Sequence, residues 1–176
     1  MRKFVMRVAA AAIGLMALPA MAATTCGDFG LDRIQAGYRA NPVPLNVGTK
    51  SSRLIGYGSY LVNAIGGCSD CHTNPPFAEG GNPFLGQPKK INTAGFLGGG
   101  VSFGPFISAN ITPDSAGRPA GLTLRQFITL MRTGKEPGED GLLQVMPWPV
   151  YQSMTDCDLT AIYTYLQTVP RVRNSN

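Results

Sequence analysis

The sequence predicts an all-α fold of three main helices joined by long loops. Two observations carry this expectation. A stretch from about residue 52 to Ile65, a second from Leu122 to Arg132 and a third opening at Thr155 each carry helical caps or helical spacing. The 22 glycines and 14 prolines concentrate between residues 74 and 121, so that part must be loop and turn. A loop-rich chain of this size needs something to pack around.

The chain opens with Arg2, Lys3 and Arg7, an apolar run from Val8 to Leu18, and Ala20-Met21-Ala22. These are the charged, apolar and small-residue regions of a secretory signal, so residues 1–22 are expected to be removed on export. The apolar run is far shorter than the ~20 residues a spanning helix needs. Three of the 15 basic residues lie in this segment and none of the 10 acidic ones, so the remainder carries an excess of only two positive charges. The basic balance of the whole chain therefore does not point to nucleic acid or anionic membranes.

Residues 23–50 read as an extension with one short helix near Leu31 to Tyr38. Residues 51–172 form the domain proper. Ser51 or Ser52 can cap its first helix, along which Gly56, Tyr60 and Ile65 can face another helix, and Gly66-Gly67 ends it. Residues 73–121 are expected to be loop with short elements at most. Gly98-Gly99-Gly100 reads as loop glycine, because no Lys-Ser/Thr follows at P-loop spacing. Thr123 and Gln126 cap a helix whose stripe is Leu124, Phe127, Ile128 and Met131, and Gly134 stops it. In the last helix Leu159, Ile162, Tyr163 and Leu166 make one apolar face before Pro170.

Four cysteines remain after residue 22. Cys68-Ser69-Asp70-Cys71-His72 is a C-x-x-C-H motif, the attachment signature of c-type haem. A helical turn presents both thiols to one edge of the porphyrin, each adding across a vinyl group, and swings the next imidazole over the iron. One covalent haem c is the cofactor this implies. The competing readings are a thioredoxin-like pair, a zinc site recruiting Cys26 and Cys157, and a Cys68–Cys71 disulfide. The first needs a βαβ surround, the second all four thiolates, and the third leaves His72 without a role. Cys26 and Cys157 are candidates for a disulfide tying the extension to the last helix.

The chain has a single histidine. With His72 on one face of the iron, the other ligand must be Met, Lys, Tyr or nothing. Met131 fits the core stripe, and Met154 precedes the cap of the last helix. Met146 lies in Leu142-Leu143-Gln144-Val145-Met146-Pro147-Trp148-Pro149, which the prolines are expected to hold as an extended strap, and it is the leading candidate.

The motif at the end of an N-terminal helix, the Met in a Pro-rich strap and the amphipathic terminal helix together resemble class I cytochrome c. More narrowly, Tyr60-Leu61-Val62-Asn63-Ala64, Ala109-Asn110-Ile111-Thr112-Pro113-Asp114, Arg132-Thr133-Gly134, Met146-Pro147-Trp148 and Met154-Thr155-Asp156 resemble the cytochrome domains that accompany periplasmic alcohol, sugar and aldehyde dehydrogenases. The resemblance implies His72 and Met146 as axial ligands and packing of the first helix on the last through Gly56, Tyr60 and Tyr163. It also implies electron transfer as the function. Where that family commonly has an acidic residue, this chain has Cys157.

The sequence thus points to a periplasmic electron carrier rather than an enzyme. Its partners would be redox proteins: a dehydrogenase, another cytochrome or a terminal oxidase. A dehydrogenase subunit and a haem sensor or enzyme with an open distal site are the alternatives. No nucleic-acid groove, nucleotide-binding glycine pattern or second haem motif is visible.

Overall fold

Ser51 starts the helix around which the rest of the molecule is arranged: its side chain accepts from the Leu54 amide at 3.4 Å. The computed structural model describes residues 26–173, and the signal-like stretch 1–22 lies outside them. Among the described residues the fold is helix-rich, with α1 (Leu31–Ala40), α2 (Ser52–Tyr60), α3 (Cys68–His72), α4 (Leu124–Thr133), α5 (Trp148–Tyr151) and α6 (Asp156–Leu166). The only strand pairing among named strands is a hairpin of β1 (Ser102–Phe103) and β2 (Phe106–Ile107). No helix among the described residues is long and apolar enough to cross a membrane.

Glycines let α2 approach two helices at once. On one side a Cβ at Gly37 of α1 would run into the Gly56 carbonyl, and one at Gly56 would meet Ile34 and Tyr38. On the other side Gly58 lies against the backbone of Ala161 in α6. The expected packing of the first helix on the last is present, but not through Gly56. Gly58 makes that contact, whereas Gly56 faces α1 because residues two apart on a helix point to opposite sides. Tyr163 turns to α4 instead, donating its hydroxyl to the Leu122 carbonyl at 2.8 Å with its ring centroid 5.5 Å from Phe127. Ile65 is 59% exposed rather than packed on a helix.

α2 does not end at Tyr60 but widens into a π turn, Leu61–Ile65, which closes when the Gly66 amide reaches the Leu61 carbonyl at 2.7 Å. From this turn runs a partly buried polar chain. Asn63 donates to Ser59 Oγ and to the Tyr165 hydroxyl, both at 3.0 Å, and Tyr165 donates to Asn41 Oδ1 at 2.8 Å. Ser59 in turn donates to the Gly37 carbonyl at 2.7 Å. α1, α2, the π turn and α6 are thereby joined through side chains whose bonds are all made, as burial requires.

α4 and α6 both open with a capping box, Thr123 with Gln126 and Thr155 with Asp158. Met131 is buried in the core, as its place in the α4 stripe predicts. The extension is fastened at its start: Cys26 and Cys157 are bonded, with Cα atoms 5.4 Å apart. Phe29 stacks on Tyr57 at 4.3 Å between centroids, and the Tyr57 hydroxyl donates to Asp158 at 2.9 Å.

The Met-Pro-Trp-Pro segment also departs from expectation. It is not extended throughout, because Pro147 serves as N-cap and Trp148–Tyr151 forms one turn of helix with Pro149 in its first turn. A proline there removes no helical hydrogen bond, since the first amides of a helix have no partner within it.

Candidate functional site

Cys68, Cys71 and His72 come together on α3. Gly67 takes the left-handed conformation at φ 57° and reverses the chain between the π turn and α3. Cys68 is largely withdrawn from solvent and Cys71 is exposed; neither is bonded to another cysteine. Burial pushes the Cys68 thiol up to about 12, and it also raises that of Cys71, with the Asp70 carboxylate adding to both. A redox-active pair needs a depressed thiol instead. The zinc reading loses its ligands as well, because Cys26 and Cys157 are consumed by their own bond. Among the described residues no cluster of three or more His, Cys, Asp or Glu could hold a metal ion.

His72 is oriented by a backbone group 37 residues away: its Nδ1 lies 2.8 Å from the Ala109 carbonyl. A carbonyl only accepts, so Nδ1 carries the proton and Nε2 is left with its lone pair. Burial draws the imidazole below its ordinary pKa, and the Ala109 bond acts in the opposite direction. The neutral ring with a directed Nε2 is what metal ligation requires.

The surrounding loops exist to place that carbonyl. Gly99 donates to the His72 carbonyl at 2.7 Å, and Ile111 donates to the Leu97 carbonyl at 3.0 Å. Asn110 donates to the Val172 carbonyl at 2.8 Å while its Oδ1 accepts from the Thr112 amide and hydroxyl. Gly99, at φ 72°, packs directly on the backbone of Ser108 and Ala109, where a Cβ would collide. Leu97 is itself held in the left-handed region, φ 60°, with its amide bound to Thr73 Oγ1 at 3.0 Å. Such a conformation persists only where neighbours enforce it.

Met146 is half-buried and packs against the hydrophobic core. Its segment is anchored to α4. The Gly134 Cα lies against the Trp148 indole, the Leu143 amide donates to the Gly134 carbonyl at 2.9 Å, and Arg132 donates to the Gln152 carbonyl at 3.0 Å. From the far end of α5, Tyr151 reaches toward the attachment turn, its hydroxyl 3.5 Å from the Gly66 carbonyl. Burial raises the Tyr151 phenol, and the nearby thiols of Cys68 and Cys71 add to the effect.

Two unpaired thiols and a directed imidazole on one turn fit a covalent haem: the thiols would hold its edge and His72 its iron. The sequence reading missed Ala109 and Tyr151. Ala109 acts through its carbonyl, which no side-chain pattern reveals.

No protein-family model matches the chain. Curated proteins do. The chain is 33% identical over 112 residues to the gluconate 2-dehydrogenase cytochrome c subunit of Pantoea cypripedii, covering 64% of this chain and 22% of that protein. It is 29% identical over 134 residues to the fructose dehydrogenase cytochrome subunit of Gluconobacter japonicus, covering 74% of this chain and 24% of the relative. The cytochrome c subunit of alcohol dehydrogenase (quinone) from Gluconacetobacter polyoxogenes is 32% identical over 124 residues, with 67% and 25% covered.

The chain resembles the cytochrome c subunits of dehydrogenases. It spans only about a quarter of the length of these relatives. Haem c is the cofactor the cytochrome c likeness implies, in agreement with the chemistry of α3.

Proposed function

We propose that the chain is a periplasmic mono-haem c-type cytochrome that carries single electrons between redox partners. The observation that carries this reading is the pairing of two unbonded thiols with a His72 ring whose Nε2 is freed by the Ala109 bond. Cys68 and Cys71 would hold the haem covalently, and His72 and Met146, the latter on the strap anchored to α4, would ligate its iron. When bound, the haem supplies a one-electron ferrous/ferric couple. A thioether ligand and a dry surround both favour the ferrous state, so the potential is expected to be fairly positive.

Residues 51–172 make up the electron-transfer domain, and residues 1–22 direct export. The Cys26–Cys157 bond supports an oxidising compartment. With His72 and Met146 both ligating the iron, no iron position would be left to a substrate, and the chain would act as an electron-transfer protein. Contact with partners would be small and short-lived, below ~1,200 Å² of buried surface.

The test is a potentiometric titration of the matured protein with optical detection. The expected result is one single-electron transition and a weak far-red sulfur-to-iron band in the ferric form. A missing band with rapid CO binding to the ferrous form would favour the open-site sensor or enzyme instead. A second reading, the electron-accepting subunit of a periplasmic dehydrogenase, is supported by the names of the relatives. Co-purification with a catalytic chain separates it from a free carrier.

A further inference from the structure

We propose that Tyr151 is a positioning residue that fastens the Met146 strap to the haem-attachment turn, so that the methionine sulfur stays over the iron. The inference rests on the reading of Met146 as axial ligand. A strap that carries a ligand needs support at both ends, since a thioether is a weak ligand and an unsupported loop opens readily. One end has its support: Trp148 on Gly134, Leu143 on Gly134 and Arg132 on Gln152 all tie the segment to α4.

None of those contacts joins it to α3. Tyr151 comes nearest, spanning 85 residues of sequence to the carbonyl of Gly66, which closes the π turn two residues before α3. Gly66 lies beside the first haem cysteine, for a Cβ there would sit 3.2 Å from the Cys68 sulfur. The ring is half-buried against the core, and it shares the one-turn helix α5 with Trp148, three residues away. A hydroxyl-to-carbonyl distance of 3.5 Å is long for a hydrogen bond. The half-buried ring, packed against the core, is therefore assigned the larger part of the clamp.

Loosening the clamp raises the fraction of molecules with the sulfur off the iron. An exogenous ligand for ferric haem reports that fraction, because its apparent affinity scales with the population of the open state. The probe is imidazole, titrated into the ferric holoprotein. Y151A should bind imidazole about 10-fold more tightly than wild type, Y151V about 3-fold, and Y151F should differ by less than about 2-fold, each ratio being the change in open population. The far-red sulfur band should weaken in the same order. A residue that only stabilises the fold would lower the thermal midpoint and leave imidazole affinity unchanged.

If Y151A does not mature, Y151V decides: unchanged affinity overturns the clamp, and tighter binding supports it. Absence of the far-red band in the wild-type protein would defeat the Met146 reading, and the clamp with it. A normal band in wild type, with unaltered imidazole binding in Y151V and Y151A, would defeat the clamp alone.

Discussion

Gly58 lies against the carbonyl of Ala161, leaving no space for even one methyl group between α2 and α6. The contact joins the helix that leads into the attachment motif to the helix that closes the fold. A side chain at Gly58 would force the two backbones apart rather than displace a flexible neighbour.

G58A should therefore destabilise the protein by about 3 kcal/mol, the upper end of ordinary overpacking. Gly141 is the control: nothing lies within 4 Å of where its Cβ would be, so G141A should stay within ~0.5 kcal/mol of wild type. Denaturant titration followed by far-ultraviolet circular dichroism measures both. Equal midpoints for the two variants would refute the close approach.

The Cys26–Cys157 bond closes a loop with a sequence separation of 131. In the chain-entropy model, removing it with C26S/C157S should cost about 3–5 kcal/mol. Because both residues lie away from α3 in sequence and bonding, the visible spectrum of the matured protein should not change. A wild-type denaturation midpoint in the double variant would show that the bond does not constrain the unfolded chain.

Tyr165 is 0% exposed, and its hydroxyl accepts from Asn63 while donating to Asn41. Y165F would take one hydrogen-bond partner from each of Asn63 and Asn41, at a cost of about 1–3 kcal/mol. Amide hydrogen exchange locates the effect: Leu61–Ile65 and the adjoining end of α2 should lose protection before α4 does. Uniform loss across all helices would count against a network that specifically supports the π turn.

Much of this architecture is legible in the residues. The caps at Thr123 and Thr155, the burial of Met131 and the helical turn carrying Cys68, Cys71 and His72 all follow from local chemistry that tertiary contacts did not overrule. Other features are invisible for definite reasons. Gly56 and Gly58 look alike in sequence, and only the position of α1 decides which of them meets α6. The π turn inserts one residue into a helix without disturbing its composition. Pro147 and Pro149 suggest an extended segment, yet a proline in a first turn is equally content to start a helix. The partner of His72 is a peptide carbonyl, held in place by Asn110 and by Gly99, and any residue at position 109 would present the same atom.

The covalent link between Cys68, Cys71 and a haem is the point on which the functional reading depends. Its most direct test is the intact mass of the matured chain under denaturing, non-reducing conditions, with alkylation of free thiols. The expected result is a gain of one haem mass and no alkylated cysteine; C68A/C71A should lose the haem mass and still take up no alkyl group, because its two remaining cysteines are bonded to each other. A colourless chain that takes up two alkyl groups, produced in a host that matures other c-type cytochromes, would contradict it.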